Sequence, residues 1–194
     1  MSSFRTLPLG DFLAATASKS PTPGGGAVAG VTVALGAALG QMVLEYTLGK
    51  KRFAEHAGAH ERARETLQSG RETALALADA DAFAYARLNE VMRSDAGDCA
   101  RPTTLDAAAR AALEPPLALT RLAAVLAELL GQLAGTTNPH LDSDLAIARD
   151  LLATGARAAA HNVEANLPLL LDRAAAAGIA QETAALRDQA GARA

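Results

Sequence analysis

The chain has a single cysteine, Cys99, no tryptophan, and only two tyrosines and four phenylalanines among 194 residues. A lone cysteine excludes an internal disulfide and fits a reducing compartment, so a cytoplasmic location is expected. With a net charge of −3 and no basic stripe interleaved with aromatics, the chain is not expected to bind nucleic acid. Its first twenty residues, MSSFRTLPLGDFLAATASKS, lack a cationic start followed by a sustained apolar run, so no secretion signal is read. Also missing are a GxSxG elbow, a P-loop lysine-serine pair and a Cys/His nucleophile arrangement. The length fits one large domain, 1–194, able to bury about 70% of its unfolded surface.

What fills the chain instead is alanine, the strongest helix former, with strand formers occurring only singly. The expected fold is all-α, a single-domain helical bundle with long antiparallel helices. The pattern predicts helices over Leu9–Ala17, Gly26–Thr47, Ala54–Met92, Thr104–Leu113, Pro116–Ala134, Asp142–Ala176 and Ala180–Gln189. Breaks are expected at PTPGGG, SDAGDCARP, Pro115-Pro116 and GTTNP. Thr103 with Asp106 resembles a capping box, and Pro116 suits a first helical position. Alanine cores bury little area per residue, so further burial in a homodimer is expected.

The stretch SPTPGGGAVAGVTVALGAALGQMVLEYTLGKKR, residues 20–52, carries the most information. Pro21 and Pro23 stiffen the approach, and Gly24, Gly25 and Gly26 strip the side chains from a helix start whose N–H groups lack intrahelical partners. Such a loop suits an anion or the polar edge of a ring, and equally a plain tight turn. Lys50, Lys51 and Arg52 follow about 25 residues later, roughly 35 Å away on a straight helix. If loop and lysines share one ligand, a neighbouring chain or an antiparallel helix must supply one of them. The run from Gly24 to Leu44 is also long enough to cross a bilayer and spells GxxxG at Gly26/Gly30 and Gly36/Gly40. Its few leucines, Gln41 and the lack of an aromatic belt favour a close-packed soluble helix, so no membrane partner is expected.

Polar residues inside apolar helical faces come next. Asn162 and Asn166 share a face one turn apart, although asparagine is a poor interior helix former. Asp144, after Ser143, follows the break at Asn138-Pro139, where a helix start stabilises a carboxylate. Asp79 and Asp81 lie in ALADADAFAYARL; each reads as a cap, a solvated face or a functional carboxylate. His56 and His60 have the i, i+4 spacing of a metal pair, but no third ligand is placed near them and the flanks read as an exposed helix, so no metal is expected. His140 and His161 read as structural or as proton carriers.

Taken in order, SPTPGGGAVAG, TLGKKRF, the DADAF segment, NPHLDSD and HNVEANL resemble the formiminotetrahydrofolate cyclodeaminase and methenyltetrahydrofolate cyclohydrolase family over nearly the whole chain. The form resembled is the free-standing bacterial one, without a formiminotransferase half. The resemblance implies an all-helical homodimer, folate one-carbon chemistry in a cleft lined by the glycine loop, and no cofactor beyond the tetrahydrofolate substrate. Carried over residue by residue, it implies site positions at Gly24, Gly25, Gly26, Lys50, Lys51, Asp79, Ser143, Asp144, Asn162 and Asn166. Asp144 is then the leading acid/base and Asp79 its alternative; the glycines and asparagines orient substrate, and Lys50 meets the anionic tail. Relatives often carry Leu-Pro-Lys after the aspartate-containing helix, where this chain reads Met92-Arg93-Ser94; a non-catalytic folate-binding oligomer or degenerate relative is the alternative that this departure favours. Hydrolysis of methenyltetrahydrofolate and ammonia release from formiminotetrahydrofolate both fit, with a tilt to hydrolysis.

Overall fold

The computed structural model describes residues 3–94 and 101–192; Cys99 and most of the SDAGDCARP break lie outside them. Six α-helices follow one another: α1 (Leu9–Ala17), α2 (Gly25–Glu45), α3 (Ala57–Arg93), α4 (Arg101–Gln132), α5 (Asp142–Asn166) and α6 (Arg173–Gly191). No strand occurs among the described residues. Helices α2 to α5 form an up-down-up-down bundle. Each neighbouring pair runs antiparallel, as side chains and backbone at the glycines show: Gly26 lies against Asp81 and Gly30 against Ala78, while Gly36 lies against Ala148 and Gly25 against Asn162. α6 packs on α4 and α5, held in part by Arg121 Nε bonding Glu182 at 2.6 Å.

The paired GxxxG motifs are explained by this packing. A Cβ on Gly30 would lie 2.8 Å from the Ala78 Cβ and 2.9 Å from the Ala74 carbonyl oxygen; one on Gly36 would lie 2.9 Å from the Ala148 carbonyl oxygen. α2 therefore meets α3 and α5 almost backbone to backbone, as small residues at four-residue spacing permit. The helix is long and apolar enough to span a membrane by composition, but more than half of it is buried within the bundle.

The expected break at Pro115-Pro116, with Pro116 at a first helical position, does not occur, and the break expected after Ala176 falls earlier. α4 runs through Pro115 and Pro116, because buried packing on both sides of the prolines outweighs the helical bonds they remove. The expected helix 142–176 instead ends at Asn166: Pro168 lies in a short 3-10 turn, and Asp172 caps α6 by accepting a bond from Ala175 N–H at 2.9 Å. Asp106 is not half of a capping box. Its carboxylate accepts bonds from Arg110 Nε at 2.8 Å and Leu171 N–H at 2.6 Å, which ties α4 to the corner before α6. The Arg110 bond, then the Leu171 bond, holds its carboxyl below the usual range. The expected start at Ala54 is a 3-10 turn, Lys51–His56, before α3. His60 is 1% exposed, contrary to the exposed helix its flanks suggest.

Candidate active site

The glycine turn opens α2 without a side-chain cap: Gly24 is extended at φ −117° and ψ −161°, and Val28 N–H is the first to return to its carbonyl. The side-chain-free first turn is occupied from outside. A Cβ on Gly26 would overlap the Asp81 carboxylate, and one on Gly25 would lie 3.3 Å from Asn162 Oδ1. Three elements thus converge at one end of the bundle: the start of α2, Asp81 on α3 and Asn162 on α5. Asn162 is oriented by its own helix, since Nδ2 donates to the Ala158 carbonyl at 2.9 Å and Oδ1 is thereby left toward Gly25.

Among the described residues Asp81 is the one carboxyl whose surroundings raise it. Burial penalises its charged form and pushes its carboxyl up to about 6, so that both protonation states are accessible near neutral pH. A carboxyl of this kind, half-buried against the glycine-rich start of a helix, is equipped to accept and return a proton. The motif DADAF gave Asp81 no role of its own. The available signal was period: Ala74, Ala78 and Ala82 are buried on α3, and Asp81 lies seven and three residues beyond the first two, beside that stripe.

The other expected positions are distributed differently. Asp79 faces the N-terminal segment, where Oδ2 accepts from Ser3 Oγ at 2.5 Å and Oδ1 from Phe4 N–H at 2.8 Å. Asn166 reaches toward α4, its Nδ2 lying 3.5 Å from the Ala112 carbonyl oxygen. Lys50 and Lys51 are exposed beyond the far end of α2; Ser143 and half-buried Asp144 lie in the first turn of the antiparallel α5. Asp144 precedes Asn162 by eighteen helical residues, roughly 27 Å. One subunit therefore divides the expected positions between two ends: the glycines and Asn162, which Asp81 joins, at one, and the lysines, Ser143 and Asp144 at the other. Among the described residues no group of three or more His, Cys, Asp or Glu side chains could hold a metal ion.

A helical bundle that sets a half-buried carboxyl against a glycine-rich helix start brings together the groups that an acid/base site for a small molecule requires. The family model described as formiminotransferase-cyclodeaminase matches residues 8–185, and the chain belongs to that family. It is 32% identical over 185 residues to a methenyltetrahydrofolate cyclohydrolase from Methylorubrum extorquens, covering 93% of this chain and 89% of that protein. It is 36% identical over 188 residues to a formimidoyltransferase-cyclodeaminase from Sus scrofa, covering 94% of this chain but only 35% of the animal protein. The chain thus spans about a third of that longer relative. The crystal structure of formiminotetrahydrofolate cyclodeaminase from Thermotoga maritima superimposes with a TM-score of 0.89 at 29% identity, over 96% of this chain and 91% of that one.

Proposed function

We propose that this chain is a cytoplasmic folate-dependent one-carbon enzyme, a methenyltetrahydrofolate cyclohydrolase or the related formiminotetrahydrofolate cyclodeaminase, with Asp81 as its proton carrier. The observation that carries the reading is the Asp81 carboxyl, raised to about 6 and lying on Gly26 at the uncapped start of α2. In the hydrolysis, water adds to the methenyl carbon between the two folate nitrogens and gives its proton to the Asp81 carboxylate. Asp81 returns that proton to N5 as the carbon–N5 bond breaks, the adduct hydroxyl loses its proton to solvent, and 10-formyltetrahydrofolate is left. In the deamination, N10 adds to the carbon of the protonated formimino group, the N10 proton passes through the same carboxyl to the former imine nitrogen, and that nitrogen leaves as ammonia as the methenyl bridge closes. Gly25, Gly26 and Asn162 Oδ1 offer donors and an acceptor to the ring edge. Every step is an addition, an elimination or a proton transfer, so no cofactor beyond the tetrahydrofolate substrate is needed, and Asp79 is left to a structural duty.

The cationic end enters through a homodimer. α2 exposes an uncharged outward stripe that includes Val28 (38% exposed) and Leu35 (54%), with Tyr46 (58%) just past its end. Leu35 stands ten residues from each end of the helix. An antiparallel α2–α2 contact across a two-fold axis near Leu35 sets the glycine end of one subunit beside Lys50 and Lys51 of the partner subunit. Those lysines meet the anionic glutamate tail, and Ser143 and Asp144 of the partner subunit border the same cleft. No nucleic acid or membrane is involved. Turnover of methenyltetrahydrofolate, followed by loss of its near-ultraviolet absorbance, and of formiminotetrahydrofolate, followed by ammonia release, tests the reading. Activity toward one of them that Asp81→Asn abolishes is expected; inactivity toward both favours the non-catalytic binder.

A further inference from the structure

The first residues of the described chain are fastened to α3 two positions before Asp81. Ser3 and Phe4 are bonded to both oxygens of Asp79, two positions before Asp81 on the same helix. The Phe4 ring stands edge-on to Phe12, centroids 5.5 Å apart and planes at 79°. Phe12 is buried with Ala27 and Ala78, and Phe4, Leu7 and Val31 pack against that cluster. Ala27 follows Gly26, and Ala78 lies one turn before Asp81. The apolar cluster therefore rests on the residues flanking the Gly26–Asp81 contact, and among the described residues the side-chain hydrogen bonds of Asp79 are the two that fasten the strap.

We propose that Asp79 is a positioning residue: it latches residues 3–7 as a strap that shields Asp81 from water and thereby sets the pH at which Asp81 exchanges its proton. The inference rests on the assignment of Asp81 as proton carrier. The physical chain is short. The Asp79 side chain accepts two bonds that fix the strap; the strap seats Phe4 and Leu7 on the Phe12 cluster; the seated cluster keeps water from one side of the Asp81 carboxyl, and exclusion of water is what raises a carboxyl. Charges do not offer an equal explanation. Titratable groups on the surrounding elements include Asp79, Tyr85 and Arg87 on α3, Glu114 on α4, Arg5 of the strap, engaged by Glu72 at 3.8 Å, Asp11 on α1, and the His161–Glu164 pair on α5 at 3.4 Å, and none of them is a cause of the Asp81 shift. α2 brings none between Gly24 and Leu44, and burial alone accounts for the Asp81 shift.

The test is a titration of the Asp81 carboxyl carbon by NMR in the full-length, ligand-free protein, for wild type, Ser3→Ala, Asp79→Asn and Asp79→Ala, with Asp81→Asn to assign the resonance. A midpoint near 6 is expected in wild type, moved down by about one unit or more in Asp79→Ala and by less in Ser3→Ala, with faster amide exchange at residues 4–7. Where turnover is measurable, the acid limb of kcat/KM moves with the NMR midpoint. A wild-type midpoint near that of a free aspartate overturns the proposal. So does an unmoved midpoint in Ser3→Ala and Asp79→Asn, or in a folded Asp79→Ala, because a merely structural latch would lower stability and leave the midpoint in place. The NMR readout does not require the protein to be an enzyme, so failure of the strap and failure of the catalytic reading are told apart.

Discussion

Asn166 Nδ2 lies 3.5 Å from the Ala112 carbonyl oxygen, the carbonyl that Pro116, lacking an N–H, leaves without its helical partner. α5 thus compensates a defect inside α4, and the two residues should be energetically coupled. In chemical denaturation Asn166→Ala is expected to cost about 1 kcal/mol in wild type. In a Pro116→Ala background, where the residue 116 amide serves Ala112, it should cost about half as much. Equal costs in both backgrounds would show that the long contact carries no energy of its own.

The two neighbouring glycines should differ sharply. Gly26→Ala places a methyl group into the Asp81 carboxylate, whereas Gly25→Ala meets only the Asn162 amide at 3.3 Å. Displacement of a reacting group by about an ångström can cost on the order of 10²-fold in turnover. That loss is expected for Gly26→Ala, and a change within several-fold for Gly25→Ala, with helicity by circular dichroism unaltered in both. The reverse order would move the reacting centre from Asp81 toward Asn162.

Asp81→Asn should abolish turnover and stabilise the fold. The native carboxyl sits near 6 rather than 3.8, so from about pH 4 to 6 the native state holds more protons than the unfolded chain and wild type loses stability as pH rises. The penalty is at most about 3 kcal/mol at neutral pH, and about 2 with its residual solvent contact, so the variant should melt roughly 4–8 °C higher at about pH 8. The gain should vanish below about pH 4. A variant no more stable at about pH 8 would mean that Asp81 titrates as an ordinary aspartate.

His60 gives the opposite dependence. Thr136 Oγ1 already donates to the Leu133 carbonyl at 2.9 Å, so it accepts from His60 Nε2–H at 3.2 Å, leaving buried Nδ1 unprotonated. Burial first, then the charge of nearby His56, lowers the His60 pKa below 6.5. The native state resists the proton that the unfolded chain accepts, so the stability is present above about pH 6.5 and lost as the pH falls below it. Thermal melts from about pH 8 to 5 should show that decline, and it should be smaller in His60→Gln. An equal slope in the variant would place the acid sensitivity elsewhere.

Leu35→Glu tests the pairing of subunits. On a two-fold axis the new carboxylates would face each other, and sedimentation should report a monomer whose turnover is lost although its Asp81 end is intact. A dimer of unchanged affinity would remove the outward face of α2 from the interface.

The fold was legible where periodicity decides it: α1 spans the expected Leu9–Ala17, and the long apolar α2 starts at the glycine turn. Pro115-Pro116 misled because local propensity favours a break there, while tertiary burial on both sides holds α4 together. Asn166 could not be assigned to Ala112 from sequence, since the two are 54 residues apart and only packing shows which carbonyl needs a donor. Sequence order marked the glycine turn and the pair of asparagines, but the DADAF segment could not show which of Asp79 and Asp81 turns toward Gly26. Residues two apart on a helix point about 200° from each other, and which of the two directions holds the cleft depends on where α2 lands.

The near contact of Gly30 with Ala78 has a mechanical consequence four residues from Gly26. Side chains between helices act as compressible spacers that rotamer changes can shorten or lengthen. Backbone against a methyl group has no such play. The separation of α2 from α3, and with it the width of the gap in which Asp81 meets the glycine turn, is therefore gauged by a hard stop that no rotamer change can relax.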